Sequence, residues 1–133
     1  MKINMRSIFS LLLLVFLTSC QSVPDNSYLN LANVVNHLEL NGIKITQIQP
    51  LDASLLGASE AVAVMIGRQE IGIYKYDIMV SKQRKILERA RENEYIYVAA
   101  MKYPTIVKGA FVFIGIVNHP QKIKLIEAIQ TLK

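Results

Sequence analysis

Cysteine is almost missing from this 133-residue chain: Cys20 is the only one. A single thiol cannot close an internal disulfide, so even in an oxidising compartment the fold must be held by its core. Histidine is nearly as scarce, with His37 and His119 alone, whereas metal sites need clustered His, Cys or carboxylate ligands. No metal and no cofactor is expected. The six glycines form neither a G-x-G-x-x-G nor a Walker loop, and no G-x-S-x-G elbow is present. No apolar run reaches the roughly 20 residues that a spanning helix needs. A net charge of +5 without a dense basic patch argues against nucleic acid as a partner.

What is present begins at the N-terminus. Lys2 and Arg6 form a positive segment, Ile8 to Leu17 an apolar core, and Thr18-Ser19 a small-residue pair before Cys20. These are the parts of an export signal. Leu17-Thr18-Ser19-Cys20 resembles the lipobox of bacterial lipoproteins. The resemblance implies cleavage after Ser19 and acyl chains such as palmitate on the new terminal Cys20. An uncleaved anchor and a plain signal peptide with an incidental cysteine are the weaker readings. One acyl chain binds a membrane marginally, and two or three hold it firmly. Gln21, where an Asp would favour inner-membrane retention in enterobacterial lipoproteins, implies outer-membrane sorting facing the periplasm.

Removing residues 1–19 takes away two basic groups, Lys2 and Arg6, and leaves 114 residues with thirteen basic and ten acidic side chains. That length fits one domain with a real core. Residues 20–26, polar and containing Pro24, are expected to be a short tether, and residues 27–133 a single domain. Lys82, Arg84, Lys85, Arg89 and Arg91 interleave with Glu88, Glu92 and Glu94. This pattern suits a solvated helix face, with contact to anionic headgroups as the alternative.

A first helix is predicted from Ser27 to Asn41-Gly42, with Leu31, Val34, Val35 and Leu38 on one face. Ile43, Ile45 and Ile48 suggest a strand ended by Pro50, after which Asp52 caps a short turn closing at Gly57. Alternation through Val62, Val64 and Ile66, then Ile71 and Ile73, predicts a hairpin around Gly67 to Glu70. A second helix follows Asp77, with Met79, Ile86, Leu87 and Ala90 as its apolar stripe. Tyr95 to Met101 and Ala110 to Val117 read as two further strands. Asn118 is expected to cap a last helix that buries Ile123, Ile126 and Ile129. The predicted fold is α+β: a mostly antiparallel sheet of about five strands with three helices, in the order α-β-β-β-α-β-β-α. Hairpin-then-helix occurs twice. Phe111 to Val117 carries apolar side chains on both faces, as a doubly buried strand does. Either helices cover both faces, or a second copy closes one and the protein is a homodimer through its sheet.

The run Ile71-Gly72-Ile73-Tyr74-Lys75-Tyr76-Asp77, a charged helix, Tyr103-Pro104 and a hydrophobic strand before a terminal helix look like small uncharacterised lipoproteins of bacteria. The resemblance spans Ala61 to Leu132 and implies an envelope address and this domain shape, but no activity.

Candidate chemistry is thin. Glu60 and Glu70 flank the predicted hairpin with nothing to bring them together, His37 is expected at the edge of the packed face of the first helix, and His119 in a local role at a helix start. Tyrosine is the skewed residue: Tyr74, Tyr76, Tyr95, Tyr97 and Tyr103 crowd one stretch. Strand propensity accounts for such a cluster, and so does an aromatic platform. Tyr95, Tyr97 and Tyr103 form the candidate interaction surface, with Lys75 and Lys102 as a basic rim. The expected function is a non-enzymatic binding or accessory module, anchored through Cys20 and meeting an envelope protein. The alternatives are an inhibitor or immunity-type lipoprotein and, further off, a cell-wall-acting enzyme.

Overall fold

Helix α1, Leu31–Leu40, starts where two asparagines cap each other. Asn30 accepts from the Asn33 amide at 2.7 Å, and Asn33 accepts from the Asn30 amide at 2.9 Å. Both orphan donors are thereby satisfied, which moves the helix start from the expected Ser27 to Leu31. The expected face is buried through Val34, Val35 and Leu38. This computed structural model describes residues 26–133; the export segment, Cys20 and Gln21 lie outside them.

Strand β1 is Ile45–Pro50, an edge strand with a register shift between Ile45 and Gln47. A bulge and a terminal proline both discourage pairing with another chain. Asp52 caps a 3-10 turn over Ala53–Leu56, closed by Gly57, as expected. Strands β2, Glu60–Ile66, and β3, Gln69–Lys75, form the expected hairpin. The turn is shorter than read, with Ile66 opposite Gln69 and only Gly67-Arg68 between them.

Helix α2 is Ser81–Asn93. Leu87 and Ala90 are buried as expected, but Met79 precedes the helix and is 85% exposed. The Asp77 carboxylate accepts from the Met79 amide at 2.9 Å, holding that residue in a turn instead.

The chain then departs from expectation. Tyr95 to Met101 is not one strand: β4 is Tyr95–Val98, and a separate β5 runs over Met101–Lys108. Among the described residues the sheet therefore has six strands, all antiparallel, in the order β1-β2-β3-β6-β5-β4. Pro104 disguised β5, yet its position removes no ladder bond. Thr105 donates to the Glu94 carbonyl at 2.9 Å, so the adjacent pair Tyr95–Pro104 is a non-hydrogen-bonded one. On its other side, pairing with β6, Phe111–Ile114, ends at Thr105.

The β4–β5 link is Ala99-Ala100, with φ of 47° and 64°. Two positive φ values describe a type I′ turn, where Asn-Gly is the favoured pair. Alanine there is strained by about 1 kcal/mol per residue. Ala99→Asn with Ala100→Gly is expected to raise stability by about 1–2 kcal/mol. For a domain of this size that is a melting shift of roughly 4–8 °C per kcal/mol. An unchanged melting temperature would count against the strained turn.

Helix α3, Lys122–Gln130, begins later than expected and buries Leu125, Ala128 and Ile129. Ile123 is 75% exposed. Positions 123, 126 and 129 each step back by about 60° on a helical wheel, so they cannot all face inward. Asn118 does not cap this helix; His119 takes over its approach. The His119 ring accepts from the Gln121 amide at Nδ1, 3.0 Å, and donates from Nε2 to the Ile66 carbonyl at 3.2 Å.

Both faces of β6 are closed within the chain. Phe111 and Phe113 pack with α1 and α3 on one side, and Val112 with Leu87 and Ala90 of α2 on the other. Helices thus account for the two-sided burial that had raised a dimer. The sheet order is palindromic, two three-stranded meanders meeting at β3 and β6. Their following helices lie on opposite faces, so the doubling stops at the sheet.

Candidate functional site

Strand pairing decides which tyrosines can act together. Directly opposed residues share a face, and neighbours along a strand do not. Tyr95 opposes Pro104 and Tyr97 opposes Lys102, whereas Tyr103 opposes Ile96. Tyr95, Tyr97 and Lys102 therefore share one face, and Tyr103 projects from the other. Of the expected surface, the structure joins two tyrosines and separates the third.

The joined pair is well ordered by its own contacts. The Tyr95 and Tyr97 rings meet edge to face, centroids 5.2 Å apart at 80°, a geometry that aromatic quadrupoles favour. Lys102 Nζ lies 4.0 Å from the Tyr95 ring centroid, within cation–π range. Tyr97 is 60% exposed. Lys75, expected on the same rim, belongs to β3 and is separated from β4 by β6 and β5. Tyr103 turns its hydroxyl toward Met101 Sδ at 3.8 Å.

Tyr74 and Tyr76 serve the fold. The Tyr76 ring is fully buried, and its hydroxyl donates to the Leu56 carbonyl at 2.9 Å, fixing the 3-10 turn on the sheet. Burial, then the neighbouring Tyr74, pushes its phenol well above the usual range. Tyr74 lies across Gly72, where a Cβ would come within 2.8 Å of the ring. Burial, then the charge of Glu70, raises the Tyr74 phenol as well. Asp52 shifts the other way, its carboxylate lowered by hydrogen bonds from the Ser54 hydroxyl and amide.

Beside β4, a cleft of about 450 Å³ runs along α2. Lys82, Ile86, Arg89 and Asn93 form its helical wall, while Leu55 of the 3-10 turn and Tyr97 stand at its margins. Leu55 is 70% exposed. The site thus combines apolar anchors with cations. Sequence reasoning missed the cleft because it joins segments forty residues apart through packing alone.

Backbone strain marks the same strand. Glu94, Ala99 and Ala100, the non-glycine residues with positive φ among those described, bracket β4 at both ends. Such conformations cost roughly 1–3 kcal/mol each and gather at functional sites. The strand is also the last in the sheet, so among the described residues one edge has no strand beside it.

The remaining candidates serve the fold or stand apart. His37 Nε2 lies 2.8 Å from the Ala128 carbonyl and 3.0 Å from Thr131 Oγ1, tying α1 to the end of α3. Glu60 opposes Lys75 and Glu70 opposes Met65, five residues and about 17 Å apart along the hairpin. Among the described residues there is no group of three or more His, Cys, Asp or Glu that could hold a metal ion. No described helix is long and apolar enough to cross a membrane.

Fold and site together define a small α+β domain with an exposed aromatic edge strand beside a basic, partly apolar cleft. Compared with protein-family models, curated proteins and solved structures, the chain matches none.

Proposed function

We propose that this chain is a lipid-anchored envelope protein whose domain is a non-enzymatic binding module, seating an extended segment of an envelope partner along β4. The observation that carries this reading is the free edge of a short, strained strand whose Tyr97 ring is 60% exposed. A free edge supplies backbone donors and acceptors for an added strand, and alternate side chains then reach flanking pockets. Lys82, Arg89 and Lys102 favour a segment carrying acidic residues. Acylation at Cys20, with Gln21 directing outer-membrane sorting, holds the module within roughly 20 Å of the bilayer over six tether residues. Confinement of this kind raises effective concentration toward membrane-bound partners.

Cross-linked pull-down from intact membranes tests the reading. Tyr95→Ser with Tyr97→Ser is expected to cut recovery of the cross-linked partner about tenfold or more, as loss of aromatic anchors does. Tyr103→Ser, at a residue that does not line the cleft, should leave it. Cys20→Ser should abolish recovery by releasing the protein from the membrane. One tight partner, instead of several weak ones, would point to an inhibitor. Equal recovery from the paired variant and the native protein would remove β4 as the binding edge.

A further inference from the structure

The start of the domain is locked in place by one buried side chain. Asn26 is 1% exposed. Its Oδ1 accepts from the Ala110 amide at 2.8 Å, and its Nδ2 donates to the Lys108 carbonyl at 3.3 Å. Asn26, expected to end the tether, is therefore part of the folded domain, pinned to the β5–β6 turn. Ala110 in turn accepts from the Tyr76 amide at 2.9 Å, which leads directly into the loop 77–80. The point where the chain enters the domain is a fixed place on its surface.

That place has a distinct character. Ser27 and Met79 line the same hollow, with Lys75, Glu60 and Asp77 around it. Met79 is 85% exposed, Val80 43% and Tyr28 73%. Large apolar side chains this exposed are ordinary when scattered, but here Met79 lines the hollow, and Tyr28 and Val80 are the chain neighbours of Ser27 and Met79. Basic groups ring them. Lys108 follows from the clamp itself, Arg91 donates to the Gly109 carbonyl at 2.9 Å, and Arg84 donates to the Ile78 carbonyl at 3.1 Å. Tyr28 donates to the Lys133 carbonyl at 3.0 Å, which brings the last lysine to this end too. Against Lys75, Arg84, Arg91, Lys108 and Lys133 stand Glu60 and Asp77, and Asp77 is engaged with the Met79 amide.

We infer that this end of the domain is its membrane-apposed face, with Met79, Val80 and Tyr28 entering the headgroup region and the basic ring engaging anionic phospholipid. The inference rests on acylation of Cys20, because only six residues then separate the lipid from the Asn26 clamp, a reach of roughly 20 Å. A tether of that reach lets the domain settle against the leaflet, whose surface potential acts on basic side chains within a Debye length of about 8–10 Å. Apolar side chains beside cations are the composition of an interfacial contact. The tip of the β4–β5 hairpin lies away from this face, since Met101 is seven residues along β5 from Lys108, about 24 Å in an extended strand, while Lys82 of the cleft follows Val80 by two residues. Such an arrangement holds the hairpin tip away from the bilayer.

The test uses the full acylated protein, purified and reconstituted into vesicles of phosphatidylethanolamine and phosphatidylglycerol. With the Cys20 thiol acylated, Met79→Cys or Met101→Cys supplies the sole free thiol for an environment-sensitive fluorophore. Iodide should quench the label at position 79 at least threefold less than the label at 101. On phosphatidylcholine vesicles, or with Lys75→Gln and Lys108→Gln added, the protection at 79 should fall by half or more. Equal quenching at the two positions in acylated protein overturns the apposition and leaves the anchor standing. Equal protection on both vesicle types overturns the headgroup recognition. Absence of acyl mass on Cys20 overturns the anchored reading and this inference with it.

Discussion

Gly109→Ala is expected to destabilise the domain by about 3 kcal/mol, lowering its melting temperature by more than about 10 °C. Two effects add. Gly109 has φ of 58°, where a side chain costs roughly 1 kcal/mol. A Cβ there would stand 1.9 Å from Asn26 Oδ1, so the clamp must leave. Its departure strands the buried Ala110 amide, at roughly 1–3 kcal/mol. Gly67→Ala separates the two effects: its φ is 63°, but a Cβ meets nothing within 4 Å. That variant should lose only the backbone part. Adding Asn26→Ala to Gly109→Ala relieves the clash, so the pair should be clearly non-additive. If the two glycine variants melted together, Asn26 would not be the clamp that fixes the chain's entry point.

The clamp also shows what a sequence hides. Asn26 bonds to residues more than eighty positions away, and no local pattern announces such a contact. The periodic elements were legible: the face of α1, the Asp52 cap, the β2–β3 hairpin and the two-sided burial of β6 follow from spacing and turn residues. The sixth strand was not, for two physical reasons. Ala99-Ala100 closes a tight turn without the glycine or asparagine that normally signals one. Pro104 then sits inside a strand at a register position where its missing N–H is not needed.

The candidate surface suffered from the same gap. Tyr95, Tyr97 and Tyr103 look alike in the sequence, and a single strand from Tyr95 to Met101 would place the first two together. Only the register of β4 against β5 reveals that Tyr103 opposes Ile96 and faces the other way. Faces of a sheet are set by pairing, and pairing between strands joined by an unmarked turn is not written locally. The strain at Glu94, Ala99 and Ala100 is the converse. It violates local preference, and violations of that kind concentrate where a strand is held in place for some purpose other than stability.

The largest single loss is expected from Phe113→Ala, about 3–5 kcal/mol by the usual penalty for emptying a buried aromatic site. Phe113 is fully buried and opposes Ile73 on one side and Ile106 on the other, beneath α1 and α3. Strand β6 lies between β3 and β5, so neighbouring backbone cannot easily collapse into the void. Against a typical total of about 5–15 kcal/mol, such a loss leaves a marginal domain. Its pattern is as informative as its size. Val112, the next residue, faces α2 instead, so a cavity at 113 should loosen α1 and α3 before α2. Amide exchange under native conditions should show lower protection at Val34, Leu38 and Leu125 than at Leu87 and Ala90. Equal loss across all three helices, or a penalty below about 2 kcal/mol, would mean that the two layers are not separately packed on this sheet.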